Sequence, residues 1–334
     1  MAKKSYSKRK MTAQQKKLSS IISAVIFIIA AIVYYWPYIE AIVMPEPGAE
    51  VSVAEPTPGP VFSEETEETE AEVYFFDVGQ GDSIFIRIGD YTMLIDASER
   101  SAAETIVQNL DALGVEKLDA VIATHPHADH IGGMTMVIES FPIGTFYMPM
   151  LPDRDVPTTK TYENMLDALA EENVTVKQIS DETVISAPDK AKFEVLSPYD
   201  GDAWDEMNDY SVVVRFTYGD VSFMLTGDAE APVEERILET GKDISCQILK
   251  CGHHGSSSST TPDFLYAVDP DVAIISCAEE NDYGHPHRET MAALKEQGCD
   301  ILQTWRDGTV AVLTDGEEYN VHSWYADTGM QPAA

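Results

Sequence analysis

Six residues constrain this chain more than any others. His125-Pro126-His127-Ala128-Asp129-His130 places four metal-ligating side chains in one short string, directly after the apolar run at 118–123. Residues two apart on an extended segment point the same way, so His125 and His127 can grip one ion. As the chain turns toward a helix, Asp129 and His130 can reach a second. Ile131-Gly132-Gly133 follows, and residues without bulky side chains let backbone pass close to a metal centre. The spacing implies a two-metal site at the end of a strand.

The remaining candidate ligands are also placed after strands. Apolar alternation predicts strands at 73–76, 83–88, 91–95, 118–123, 175–178, 193–197, 211–217, 221–225, 248–250, 272–276 and 310–314. Ile106, Leu110 and Leu113 recur at helical spacing over 102–113, and Gly114 stops that helix. Further helices are predicted at 162–171, 233–239, 262–267 and 289–297. This alternation describes a layered α/β domain. Asp96 ends one strand, Asp228 another, and His253-His254-Gly255-Ser256 and His285-Pro286-His287 follow two more. Loops leaving a rigid sheet are where functional side chains concentrate.

The first 72 residues have a different character. Lys3, Lys4, Lys8, Arg9, Lys10, Lys16 and Lys17 precede an uncharged, mostly apolar run at 18–39. At the helical rise such a run spans roughly 33 Å, a bilayer core. A cleaved signal peptide would share the basic start, but its apolar core is shorter. Tyr34, Tyr35, Trp36 and Tyr38 resemble an interfacial aromatic belt. Five prolines, and six glutamates between 64 and 72, then make 44–72 a tether. The expected organisation is a basic cytoplasmic tail (1–17), a transmembrane anchor (18–43), a Pro/Glu-rich linker (44–72), a globular domain (73–325) and a short tail (326–334). The localisation expected is the cell membrane, single-pass, with the globular domain extracellular.

Setting aside the seven basic residues of the first twenty leaves 15 against 57 acidic ones, an excess of 42 negative charges. Proteins that hold DNA by neutralising phosphates need clustered Lys and Arg, and no such cluster follows residue 20. Cys246, Cys251, Cys277 and Cys299 lack zinc-knuckle spacing, and buried thiols or a disulfide fit them equally.

Five motifs in order carry a resemblance: Asp77-Val78-Gly79-Gln80-Gly81-Asp82-Ser83, the 125–130 string, Thr226-Gly227-Asp228, His253-His254-Gly255-Ser256 and Tyr283-Gly284-His285-Pro286. From about residue 73 to 323 the chain resembles the metallo-β-lactamase fold superfamily, and its ComEC-like branch in particular, which includes the hydrolase domain of the DNA-uptake competence protein. The resemblance implies a four-layer αββα sandwich with metals at one edge. It covers the hydrolase domain only. No second apolar run of membrane length follows, so a DNA pore is not expected.

The resemblance also implies roles. Asp228 would bridge two divalent ions, zinc first and manganese as the alternative, and a bridged pair can acidify a shared water. Asp129 would bind one ion and orient that water. His125, His127 and His130 would be ligands, with His253, His254 and His285 competing for the remaining place and His254 also facing the scissile bond. Asp96 would brace the ligand loop. Ser256, the serines after it and His287 would meet substrate oxygens, while Asp82 in its glycine-rich turn would support the site edge. Many superfamily members carry a further histidine between the first string and Thr-Gly-Asp. This chain has none from 131 to 252, so Asn208, Asp209 or water would fill that place, and oxygen ligands suit manganese. The activity implied is hydrolysis of phosphodiesters, in nucleic acid or a phosphate-bearing envelope polymer. Hydrolysis of other esters or lactams, or a non-catalytic binding module, are the rival readings.

Overall fold

Successive side chains of β1 (Ala71–Phe75) serve two different cores. Val73 and Phe75 join one apolar cluster and Tyr74 joins another, all three buried. A strand with two buried faces must lie inside a layered structure. The computed structural model describes residues 69–324. The expected cytoplasmic tail, anchor, most of the linker and the final tail lie outside the described residues. Among the described residues no helix is long and apolar enough to cross a membrane.

β2 (Ile84–Ile88), β3 (Tyr91–Ile95), β4 (Leu118–Ile122), β5 (Ile143–Pro149) and β6 (Thr175–Ile179) continue the first sheet. β7 (Ala191–Ser197), β8 (Val213–Tyr218), β9 (Val221–Leu225), β10 (Ile248–Lys250), β11 (Val272–Ile275) and β12 (Asp300–Gln303) form the second. The chain then returns through β13 (Thr309–Thr314) and β14 (Tyr319–Trp324) to the first sheet. The eight-stranded order is β14-β13-β1-β2-β3-β4-β5-β6, and the six-stranded order is β12-β11-β10-β9-β8-β7.

Phe75, Ile86, Met93 and Ile122 of the first sheet share a core with Val214, Phe216, Phe223 and Ile274 of the second. Each such side chain contributes roughly 1.5–3 kcal/mol on burial. Helices cover the outer faces. Ile106 and Leu110 of α1 (Ala103–Ala112) pack with Phe85 and Leu94, and the short α2 (Ala128–Ile131) adds Ile131. Val137 of α3 (Met134–Ser140) and Met165 of α4 (Lys160–Glu171) complete that layer. Against the second sheet lie α5 (Ala231–Glu239) through Val233 and Ile237, α6 (Pro262–Val268) through Phe264, and α7 (Arg288–Gln297) through Leu294. The result is an αββα sandwich, the layering that the resemblance implies.

One boundary differs from the expected one, and β5, β12 and β14 are strands that the apolar alternation does not predict. The domain begins at Ala71 rather than 73, because the last linker acids are paired: Glu72 accepts from Tyr74 and Arg87, and Glu70 from Lys190 and Tyr218. β5 escapes the alternation because Gly144 interrupts it. A Cβ there would sit 2.6 Å from the Asp119 carbonyl oxygen, so the neighbouring backbone requires glycine. All four cysteines are free thiols.

β3 pairs parallel with β4, and β9, β10 and β11 run parallel in the other sheet. Ligands of open α/β sheets gather beyond the carboxyl ends of such strands, and Asp96, the 124–130 segment, Asp228, His253, His254 and His285 all leave from those ends.

Candidate metal centre

Thr124 and Asp96 lock the ligand string in place. The Thr124 amide donates to Asp96 Oδ1 at 2.8 Å and its hydroxyl to Oδ2 at 2.6 Å, while His130 Nδ1 lies 2.7 Å from the same Oδ2. A carboxylate can only accept, so His130 carries its proton on Nδ1 and turns Nε2 toward the centre. His127 is extended and starts α2, which lifts Asp129 and His130 onto its first turn. The glycines after it serve packing instead of metal approach. A Cβ on Gly132 would strike the Arg100 amide nitrogen, and one on Gly133 would strike the Ala97 carbonyl.

One carboxylate oxygen organises the centre. Asp228 Oδ2 lies 3.2 Å from His130 Nε2, 3.4 Å from His254 Nε2, 3.8 Å from His253 Nε2 and 4.0 Å from His125 Nε2. Its Oδ1 is buried with no hydrogen-bond partner. The Asp228 amide donates to Ser211 Oγ at 3.1 Å, which fixes the loop. Ligand atoms of Asp129, His130, Asp228 and His254 all lie within 4.8 Å of one another. His125 Nε2 also lies 3.0 Å from His127 Nδ1.

The adjacent histidines diverge because both adopt left-handed backbone. His253 has φ 47° and His254 has φ 53°, a conformation costing of order 1–3 kcal/mol per non-glycine residue that clusters at functional sites. His254 Nδ1 donates to the Ser276 carbonyl at 2.9 Å, so its Nε2 faces Asp129 Oδ2 at 3.3 Å. His253 instead lies against Glu230 Oε1 (3.0 Å) and Asn208 Nδ2 (3.3 Å). The buried Oδ1 of Asn208 has no partner. Two side chains, His253 and Asn208, thus line the same cleft as His127, and the sequence has no further histidine between 131 and 252. Asp209 is turned away, accepting from the Glu230 amide at 3.3 Å. His285 comes to the same cleft with Nδ1 buried and unpartnered, its ring 5.3 Å from that of His253.

Burial would strip charge from these groups, yet the pattern is uneven. Burial lowers His130 and His254, but Asp228 together with Asp96 for His130, and with Asp129 for His254, outweighs it and holds both imidazoles well above the usual range. Burial pushes Asp228 up, and the charges of His130 and His254 overcome that and hold it well below the carboxylate range. Asp129 is likewise held low against burial by the hydrogen bond from His254. Burial, then His130, depresses His125, and burial with His253 brings His285 down to about 4. The centre calls for positive charge, and without cations its carboxylates favour protons on the His130 and His254 imidazoles. Divalent cations would displace those protons and meet the unpartnered atoms of Asp228, Asn208 and His285. The donor set fits such ions.

The cleft over this centre holds about 320 Å³ and is lined by Gln80, Glu99, His127, Asp129, Tyr283 and His285 among others. Ser256 and His287, expected at substrate, are absent from that lining. Ser256 Oγ is engaged with Ser258 Oγ at 2.9 Å. His287 Nδ1 accepts from the Ser257 amide at 2.9 Å, and its Nε2 faces the Tyr283 carbonyl at 3.2 Å. The serine run is structural too: Ser259 donates to the Ala229 carbonyl and the Thr261 amide to the buried Glu234 carboxylate. Asp82 does support the site, its Oδ1 3.4 Å from His254 Nδ1. Lys250, fully buried with Nζ 2.8 Å from Asp82 Oδ2, escaped the sequence reading. A lysine on the same strand face as buried Ile248 was the available signal.

The metallo-β-lactamase superfamily model matches residues 76–199. ComE operon protein 3 of Bacillus subtilis (strain 168) is 30% identical over 260 residues, covering 72% of this chain and 33% of that protein. Competence protein ComA of Neisseria gonorrhoeae is 31% identical over 245 residues, covering 73% and 32%. The chain thus spans about a third of the length of these curated relatives. Among solved structures, the metallo-β-lactamase fold protein YhfI from Bacillus subtilis aligns with a TM-score of 0.44 at 14% identity, covering 70% of this chain and 96% of that one. With the site geometry in place, the family match and the competence relatives lead to one statement: the chain carries a metallo-β-lactamase superfamily domain and is related to the competence proteins.

Proposed function

We propose that this domain is a dinuclear metal-dependent phosphodiesterase, held at the outer face of the cell membrane by its N-terminal segment. The observation that carries the reading is Asp228, whose Oδ2 lies within 4.0 Å of four imidazole nitrogens while Oδ1 is buried without a partner. One carboxylate so placed suits two cations, with Asp129, His130 and His254 toward one and His125, His127, His253 or Asn208 toward the other. Such ions, zinc or manganese, supply Lewis-acid polarisation of a substrate oxygen and activation of a water.

The chain's own groups then have distinct roles. Asp129 lines the cleft as an ionised carboxylate and can accept a hydrogen bond from a water, orienting it toward phosphorus. Asp96 and the Ser276 carbonyl fix the tautomers of His130 and His254, so that each presents Nε2 inward. His285, kept neutral, can serve as a ligand or donate to a substrate oxygen. Water adds across one P–O ester bond, giving a phosphomonoester and an alcohol whose oxygen takes one of the water's protons. The relation to competence proteins favours a phosphodiester over a lactam or carboxylic ester. A decayed binding module would leave several buried polar atoms unpaired at a cost of about 1–3 kcal/mol each, which disfavours that reading.

Purified full-length chain should lose cleavage of bis-nitrophenyl phosphate in chelator and regain it with zinc or manganese. Rapid lactam hydrolysis beside an inert panel of phosphodiesters would reverse the assignment. For the topology, protease added to intact protoplasts should remove the domain and leave about the first forty residues protected. A resistant domain on sealed cells would overturn it.

A further inference from the structure

We propose, resting on the phosphodiesterase reading above, that Tyr283 is the stacking wall of the cleft and selects a nucleoside beside the scissile phosphate, in preference to a phosphate-bearing envelope polymer. Among the described residues, Tyr283 is the one exposed large apolar side chain that lines this cleft, at 63% exposure. An aromatic ring left in water at the rim of a buried, charged centre offers a planar ligand a face. Its other contact is His285, 5.5 Å away and inclined by 21°. The ring therefore sits directly beside the metal centre.

The loop that carries it is held by hydrogen bonds. Asn281 Oδ1 accepts from the Tyr283 amide at 3.2 Å and the His285 amide at 2.9 Å, and Asn281 Nδ2 donates to the His285 carbonyl at 2.7 Å. His287 Nε2 lies 3.2 Å from the Tyr283 carbonyl. A pre-positioned ring gives up little freedom on stacking. His287 thereby gains a role as the anchor of the loop that presents the tyrosine.

Charge points the same way. Among the described residues no Lys or Arg lines the cleft, and Glu99 does. A long polyanion finds no row of cations to neutralise its phosphates. Affinity must come from the ions at one phosphate and from contact with the group beside it. A nucleobase provides a π-face for that contact, worth far more on an aromatic than a polyol phosphate can offer. The cleft's 320 Å³ lies at the small end of the roughly 300–1,000 Å³ usual for small-ligand sites, which favours short diesters or strand ends.

The test uses full-length chain loaded with manganese or zinc, comparing kcat/KM for a dinucleoside monophosphate and for a bis-glycerol phosphodiester. The native chain should prefer the dinucleoside. Tyr283→Ala should lower that preference about five- to hundredfold, mostly through KM, whereas Tyr283→Phe and Tyr283→Trp should keep it. Raising salt from about 50 to about 200 mM should change dinucleoside cleavage less than about threefold, because no cationic row is engaged. Cleavage of both diesters with a preference that Tyr283→Ala does not alter would overturn the stacking assignment and leave the phosphodiesterase reading intact. Preference for the glycerol diester would overturn it in favour of an envelope polymer. Metal-loaded chain inert toward every diester would overturn the underlying reading and this inference with it.

Discussion

Lys250 Nζ lies 2.8 Å from Asp82 Oδ2, with both side chains buried, and Asp82 in turn faces His254. This ion pair stands directly behind the metal centre. Burial lowers Lys250, but Asp82 and Asp228 outweigh it and keep the lysine charged. A cation built into the protein thus neutralises one carboxylate, leaving Asp129 and Asp228 as the acids that call for metal.

Breaking that pair from one side should be costly. Lys250→Met is expected to destabilise the domain by about 3–5 kcal/mol, because it strands a buried carboxylate. Lys250→Met with Asp82→Leu should recover much of the loss. Denaturant melts of the four variants of this cycle measure it, and additive losses would show that the two side chains do not act as a pair.

Removing ligands should affect the ions unequally. Asp228→Ala should disturb both, whereas His125→Ala should chiefly empty one. Elemental analysis of the purified variants checks this, and undiminished metal in Asp228→Ala would remove the bridging assignment.

Asp129→Ala should reduce phosphodiester cleavage by on the order of a hundredfold or more if this carboxylate orients the nucleophile. Single-turnover rates at saturating metal separate that loss from weakened binding. A rate within about twofold of native chain under those conditions would confine Asp129 to a structural role.

Metal-free chain should show an inverted dependence on pH. His130 and His254 are held above their ordinary value, so their stabilisation is fully present below about 6.5 and is lost as pH rises through the raised folded values. Asp228 and Asp129 are held low, so their contribution is present above about 3.8 and fades as pH falls further. Chelated chain should therefore melt progressively lower above about pH 6.5, and added zinc or manganese should restore stability most at the alkaline end. Melting temperatures of chelated chain that rise between about pH 6.5 and pH 9 would contradict this balance.

Much of this was legible in the chain because the signals were local. The strand ahead of His125 shows in five apolar-biased residues, and the sandwich follows from strands such as β1 whose two faces are both apolar. What remained hidden depends on assembly. Nothing in His253-His254 says that two left-handed residues set their rings 6.0 Å apart, one against Glu230 and the other against Asp129. Lys250 reads as a strand-end cation until the sheets close over it. Ser256 and the residues after it read as polar loop chemistry, while the Ser256 and Ser259 hydroxyls are in fact taken by Ser258 and Ala229, and the Thr261 amide by Glu234.

The most direct measurement is metal content and turnover on one preparation of the full-length chain. Two divalent ions per chain, with chelation abolishing and zinc or manganese restoring phosphodiester cleavage, is the expected result. One ion or none in active protein, or full cleavage in chelator, would contradict a dinuclear phosphodiesterase built around Asp228.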